Sequence, residues 1–265
     1  MPSRERVGVV VALVAVGLFC SSALALPARS LDLYGLSFTL TGRILLGLVL
    51  LGLTGTGVEH VLLGHPRIGS RKRGDASVGW VLPVSAIAVA YTFLSQSSGL
   101  QVRVMAVLAA GAALSLLVIA EYVILDSSER WLSVVQFSLH LVAYLLGVLL
   151  YRAIAMYVSS APVAMMAVAA VSAMLGLRLL SAQQCPPSRT WPYVLGQGAL
   201  LGIGSSLLNR WEVSPLSHSL VLTVLLYVLT GVVRQFLLGK LTRQIALEYV
   251  LAGGLVLLLL LSYAR

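Results

Sequence analysis

Charged side chains are scarce in this chain: Asp, Glu, Lys and Arg make up 10% of its 265 residues, and only nine of them are acidic. Water-soluble domains carry roughly 25% charged and about 45–50% apolar residues, so a chain that is 59% hydrophobic falls outside that class. Long polar stretches are missing too. The longest, 65–77 and 182–191, run to about a dozen residues, so any site has to be built from helices and short loops. Cysteine is nearly absent: Cys20 lies in an apolar run and Cys185 in a polar break, with neither metal-ligand spacing nor a basis for a disulfide.

Recognisable catalytic motifs are absent as well. The sequence has no Walker A loop, no His-Glu-x-x-His, no Gly-x-Ser-x-Gly and no Asp-rich pair of the prenyl-transfer type. Glu59, His60 and His65 come nearest to a metal cluster, but their spacing at a helix end does not fit a closed zinc site, so neither metal nor cofactor is expected. Glu59 with His140 lacks the paired glutamates and extra helix histidines of an intramembrane protease. The net charge of +9 is spread over many short breaks, which excludes a nucleic-acid patch. It reads instead as a topology signal, with membrane lipids, anionic headgroups among them, as partners. A homo-oligomer or a membrane partner subunit is compatible with the composition.

What the chain has in abundance is long apolar windows. Nine are read, at 7–26, 44–63, 78–95, 103–125, 132–152, 161–181, 192–208, 216–238 and 247–263. Each is near the roughly 20 residues that cross a hydrocarbon core of about 30 Å. The expected fold class is all-α, one polytopic transmembrane bundle over 1–265. With the N-terminus inside, twelve Lys and Arg fall on the inner face and six on the outer, and Arg71-Lys72-Arg73 would be costly to translocate. That asymmetry predicts N-in, C-out topology in a bacterial-type cytoplasmic (inner) membrane.

The first window has two readings, an uncleaved helix or a secretory signal ending near Ala23-Leu24-Ala25; the run from Val7 is long enough to span, which favours the helix. After it, Leu31 to Leu40 alternates apolar and polar residues about Gly35, the pattern of a small external β-hairpin or an extended interfacial segment.

Ionisable residues inside apolar windows are costly and informative. Glu59, Glu121, Arg178 and Arg234 each fall about one turn from the inner end of a window, Glu248 opens the last one at that level, and His60 follows Glu59 in the second. They form either interfacial ion pairs that fix helix order or a charged rim in which arginines hold an anionic headgroup. Glu59, Glu121 and Glu248 each begin a short Glu-aromatic-Val-like pattern, but the flanking sequence does not repeat.

His140 is the deepest such group, about 12 Å from the inner end at 1.5 Å per residue. Gln136, His140, Tyr144, Gly147 and Tyr151 share one helix face, and Ser219, Thr223, Tyr227, Thr230 and Arg234 form a second stripe in window eight. Both stripes are expected to face inward as a seam. Glycines cluster at Gly52–Gly57 and at Gly196, Gly198, Gly202 and Gly204. They mark either unwound binding segments or, for Gly198, Gly202 and Ser206, a small-residue packing face.

The leading functional expectation is binding or transport of a small or lipidic anionic solute. Gln136, His140, Tyr144, Tyr227, Arg234 and Arg178 are its candidate binding residues. The alternatives are a membrane enzyme acting on a lipid-linked substrate at the inner interface, with Glu59, Glu121 or His60 as acid or base, and a non-catalytic subunit or scaffold.

Overall fold

The computed structural model describes residues 4–23, 28–33, 36–64, 78–125, 132–181, 187–211, 213–240 and 242–263. Among these, nine α-helices and one β-hairpin occur in the order α1 (Arg4–Ala23), β1 (Ala28–Leu33), β2 (Leu36–Thr41), α2 (Gly42–Leu63), α3 (Val81–Leu94), α4 (Leu100–Leu125), α5 (Leu132–Tyr157), α6 (Ala161–Ser181), α7 (Pro187–Leu208), α8 (Pro215–Leu237) and α9 (Arg243–Tyr263). Each expected window falls on one helix. Several calls of topology and chemistry, namely Arg67, the Arg71-Lys72-Arg73 cluster, His65, Arg130, Cys185 and Arg265, lie outside the described residues.

Among the described residues, six helices are long and apolar enough to cross a membrane: α1, α2, α4, α5, α6 and α8. Two of the other three differ for visible reasons. α3 has 14 residues, about 21 Å of helix against a core of about 30 Å. α7 carries Pro192, Gln197, four glycines and three serines in its 22 residues, which dilutes its apolarity. In α9, which is apolar by sequence from Tyr249 to Leu261, the described apolar stretch is Leu247–Val256.

Helix ends follow local chemistry. Ser214 caps α8 by accepting from the Ser217 N–H at 3.2 Å, and Pro215 supplies the preset φ of a first helical residue. Gly239, at φ +66°, closes the other end. There the Lys240 N–H donates to Gln235 O and the Gly239 N–H to Phe236 O, both at 3.0 Å, a Schellman closure that needs a residue free to adopt positive φ.

The chain divides into two compact units, Met1–Val135 and Gln136–Arg265. In the first, α1 packs on α2 and α4, and α3 packs on the same two helices, so the four form a ring of neighbours. Its core is apolar: Val7, Val14 and Leu18 of α1, Leu50, Val58 and Leu62 of α2, Ile87 and Leu94 of α3, and Leu114, Val118 and Tyr122 of α4. Recurrence every three, four or seven residues gives each helix one face to bury. The hairpin pairs Ala28 with Thr41 through Leu33 with Leu36, antiparallel. Period-two alternation therefore signalled real strands; Tyr34 and Gly35, at their expected centre, lie outside the described residues.

In the second unit α6 and α7 make the closest backbone approach. A Cβ at Gly198 would sit 2.6 Å from Ala169 O, and one at Gly202 2.7 Å from Met165 O. α8 packs on α6 and α7, and α9 on α8, where the Tyr249 ring lies against Gly231. The unwound-segment reading of the glycine clusters is thereby corrected. α2 and α7 run unbroken through theirs, and the glycines of α7 serve close helix contact.

Candidate functional site: a polar seam in the second unit

α5 turns its polar face toward α6 and α8. At Gly147, absence of a side chain lets Leu175 of α6 approach to 3.4 Å of the Cβ position and Thr223 and Leu226 of α8 to 3.8 Å. One turn away Tyr144 meets Tyr227 edge-on, with ring centroids 5.7 Å apart, and Tyr227 in turn meets Tyr249 of α9 at 6.0 Å. Edge-to-face contacts of this kind align the positive rim of one ring with the negative face of the next. In the other direction Tyr151 is fully buried and its hydroxyl lies 2.8 Å from Ser172 Oγ. Ser172 donates its single proton to Val168 O at 2.6 Å, so Tyr151 is the donor in the bond between the two helices.

His140 is tied to its own helix. Its Nδ1 lies 2.6 Å from the carbonyl oxygen of Gln136. A carbonyl only accepts, so Nδ1 carries a proton and is the donor in this bond. Nε2 is buried and has no hydrogen-bond partner among the described residues.

The stripe on α8 divides. Ser219, Thr223 and Thr230 are buried, and the hydroxyls of Ser219 and Thr223 bond back to Leu216 O and Ser219 O at 2.8 Å. Tyr227 is 49% exposed and Arg234 is exposed, which places these two on the flank instead of the inward face and corrects that part of the expectation. The seam between α5 and α8 is present, carried by Tyr144, Gly147, Thr223 and Leu226.

Three further polar contacts were not read from the sequence. Gln197 of α7 is 2% exposed; its Nε2 donates to Thr230 Oγ1 at 2.8 Å, its amide fills the space left by Gly176, and its Oε1 has no partner among the described residues. Ser205 of α7 and His218 of α8 meet at 3.1 Å, both buried. Ser172 is the third. Gln197 is the only amide in its window, a signal obscured by the glycines beside it.

The charged residues are distributed over both units. Glu59 (half-buried), His60 (exposed) and Glu121 (4% exposed) belong to Met1–Val135. Arg178 (6% exposed), Arg234 and Glu248 (both exposed) belong to Gln136–Arg265. Within the second unit Arg178 closes α6 and Arg234 closes α8.

Comparison with curated proteins and with solved structures gives no match. A family model described as a protein of unknown function, DUF5656, matches residues 24–263, nearly the whole chain, and the protein belongs to that family.

Proposed function

We propose that this is a nine-span integral protein of a bacterial-type inner membrane, N-in and C-out, whose second unit binds or transports a small or lipidic anionic solute. Side chains such as Leu108, Leu116, Phe137, Met166 and Leu258 are well over half exposed, which suits helices facing lipid. The observation that carries the reading is the set of buried polar contacts in the second unit. It sets Tyr151–Ser172, Gln197–Thr230 and Ser205–His218 between helices and buries the Arg178 guanidinium. Polar groups are expensive in a hydrocarbon environment and are retained where they line a path or hold a ligand.

In this reading Arg178 and Arg234 attract the anion, His140 responds to protons, and Gln136, Tyr144 and Tyr227 line the approach. One observation favours the enzyme alternative, the carboxyl of Glu121 held in the interior of the first unit. A cysteine-accessibility scan of α5 and α8 separates the readings, done in native membranes on a background lacking Cys20 and Cys185. Labelling of 136, 140 and 144 by a membrane-impermeant thiol reagent supports a solute path. Complete protection there, with labelling only in loops, rejects it in favour of a structural or partner-binding role.

A further inference from the structure

The first unit contains a cavity that the solute path does not use. It lies where α1 and α3 end and α4 begins, has a volume of about 30 Å³, and is lined by Ser21, Ser22, Tyr91, Leu94, Ser95 and Arg103. That is room for about two water-sized groups, with the rest of a larger molecule left outside. Leu94, 2% exposed, marks the deep end, and the Tyr91 ring is held against Gly47 of α2. Ser95 is exposed and Arg103 half-buried, so the cavity is open on their side.

Arg103 is fixed in place with donors to spare. Its Nε donates to Ser97 O at 3.1 Å, in the turn between α3 and α4, and its Nη1 to Ser22 O at 3.0 Å, in the last turn of α1. A guanidinium carries five N–H groups and a permanent charge, so three donors remain, and no carboxylate pairs with it among the described residues. The serines present the opposite chemistry. Ser21, Ser22 and Ser95 donate their hydroxyl protons to Leu18 O, Phe19 O and Thr92 O, each at 2.7 Å. A hydroxyl whose one proton is committed offers only acceptor lone pairs. The cavity therefore meets an occupant with cationic donors and neutral acceptors together, which suits an anion that carries donors of its own. Its level is also informative. Leu100, Val102 and Met105, around Arg103 on α4, are exposed and apolar. In a bilayer such a position lies at the border of hydrocarbon and headgroups, where lipid phosphates are found.

We infer that this cavity binds a phosphodiester that carries N–H or O–H donors beside its phosphate, the chemistry of a phosphoethanolamine or phosphoglycerol headgroup and not of phosphocholine. Arg103 holds the phosphate by charge-assisted hydrogen bonds, and the ammonium or hydroxyl of the headgroup donates to the serine oxygens. With the N-terminus inside, the site faces the outer leaflet. It shares no residue with the solute path of the second unit and does not rest on it.

Native mass spectrometry of the full-length protein tests the site, with phosphatidylethanolamine, phosphatidylglycerol and phosphatidylcholine of equal chain length titrated in detergent. The first two are expected to bind about fivefold more tightly than the third, the effect of one hydrogen bond. Arg103→Gln should weaken all three about tenfold or more, with partial recovery in Arg103→Lys, whereas Arg152→Gln, at an exposed position of the second unit, should change nothing. Because Arg103 also holds Ser22 O and Ser97 O, a second variant keeps the test open if Arg103→Gln fails to fold. Ser22→Ala combined with Ser95→Ala leaves the guanidinium and its carbonyl partners in place, and should lower phosphatidylethanolamine to the level of phosphatidylcholine. Equal affinity of the unmodified protein for the three lipids overturns the proposal. So does a folded Arg103→Gln that binds as before, a double-serine variant that keeps the preference, or an equal loss in Arg152→Gln. Excess glycerophosphoethanolamine, the headgroup without its chains, separates the sources: displacement of the lipid assigns the site to a soluble phosphodiester, retention assigns it to the bilayer, and both support the recognition chemistry.

Discussion

α7 presents glycines on two faces, which makes its packing role testable within one helix. A methyl group at Gly198 meets the Ala169 carbonyl oxygen at 2.6 Å, and one at Gly202 meets Met165 O at 2.7 Å, whereas at Gly196 and Gly204 nothing lies within 4 Å. Both obstacles are backbone atoms, which cannot swing aside as a side-chain end does. The separation has to open to 3.0 Å at the least, and α6 and α7 have to part along their whole contact. Insertion of a methylene-sized group into a tight interface costs about 1–3 kcal/mol. Replacing Gly by Ala in a helix also stabilises it by up to about 1 kcal/mol, on either face. That gain is common to all four variants, so subtracting one face from the other isolates the packing term. We expect Gly198→Ala and Gly202→Ala to unfold about 1–3 kcal/mol more easily than Gly196→Ala and Gly204→Ala in reversible unfolding from bicelles. Equal stability of the two pairs would refute the close helix contact.

Other perturbations have equally definite outcomes. Ser172→Ala strands the Tyr151 hydroxyl as a buried donor, whereas Tyr151→Phe removes the donor and leaves Ser172 bonded to Val168 O, so the serine variant is the less stable of the two in the same unfolding assay. A double-mutant cycle of Ser205→Ala with His218→Phe should give a coupling of about 0.6 kcal/mol, the typical worth of a hydrogen bond between membrane helices; no coupling would dissociate the pair. Arg234→Gln, at an exposed position, should leave stability within about 0.5 kcal/mol while weakening binding of an anionic solute, and unchanged uptake by membrane vesicles would remove Arg234 from the site.

Much of the fold was legible because lipid-compatible helices announce themselves by length and composition. Every apolar window became a helix, and alternation at 31–40 became paired strands. Spacing of four between Gly198 and Gly202 likewise foretold a packing face. Less legible was how a helix rotates about its own axis. Tyr227 and Arg234 share the three-and-four spacing of Thr223 and Thr230, yet a modest rotation puts them on the flank. Long-range partners were not legible at all. Gln197 and Thr230 are 33 residues apart, and nothing local to either indicates that one amide will satisfy the other. His218, near the start of its helix, likewise has nothing local that points to Ser205, 13 residues away.

The number of membrane crossings underlies the whole account, since it sets the level of Arg178, Arg234 and the seam. Two helices that do not by themselves meet the length and apolarity of a span, α3 and α7, together with α9, decide it. The most direct measurement is the sidedness of single cysteines introduced near each end of the chain, read with an impermeant thiol reagent on sealed vesicles of both orientations. Nine crossings predict that the two ends label from opposite sides, the N-terminal one from the cytoplasmic side. Labelling of both ends from the same side would mean an even number of crossings and would contradict the topology.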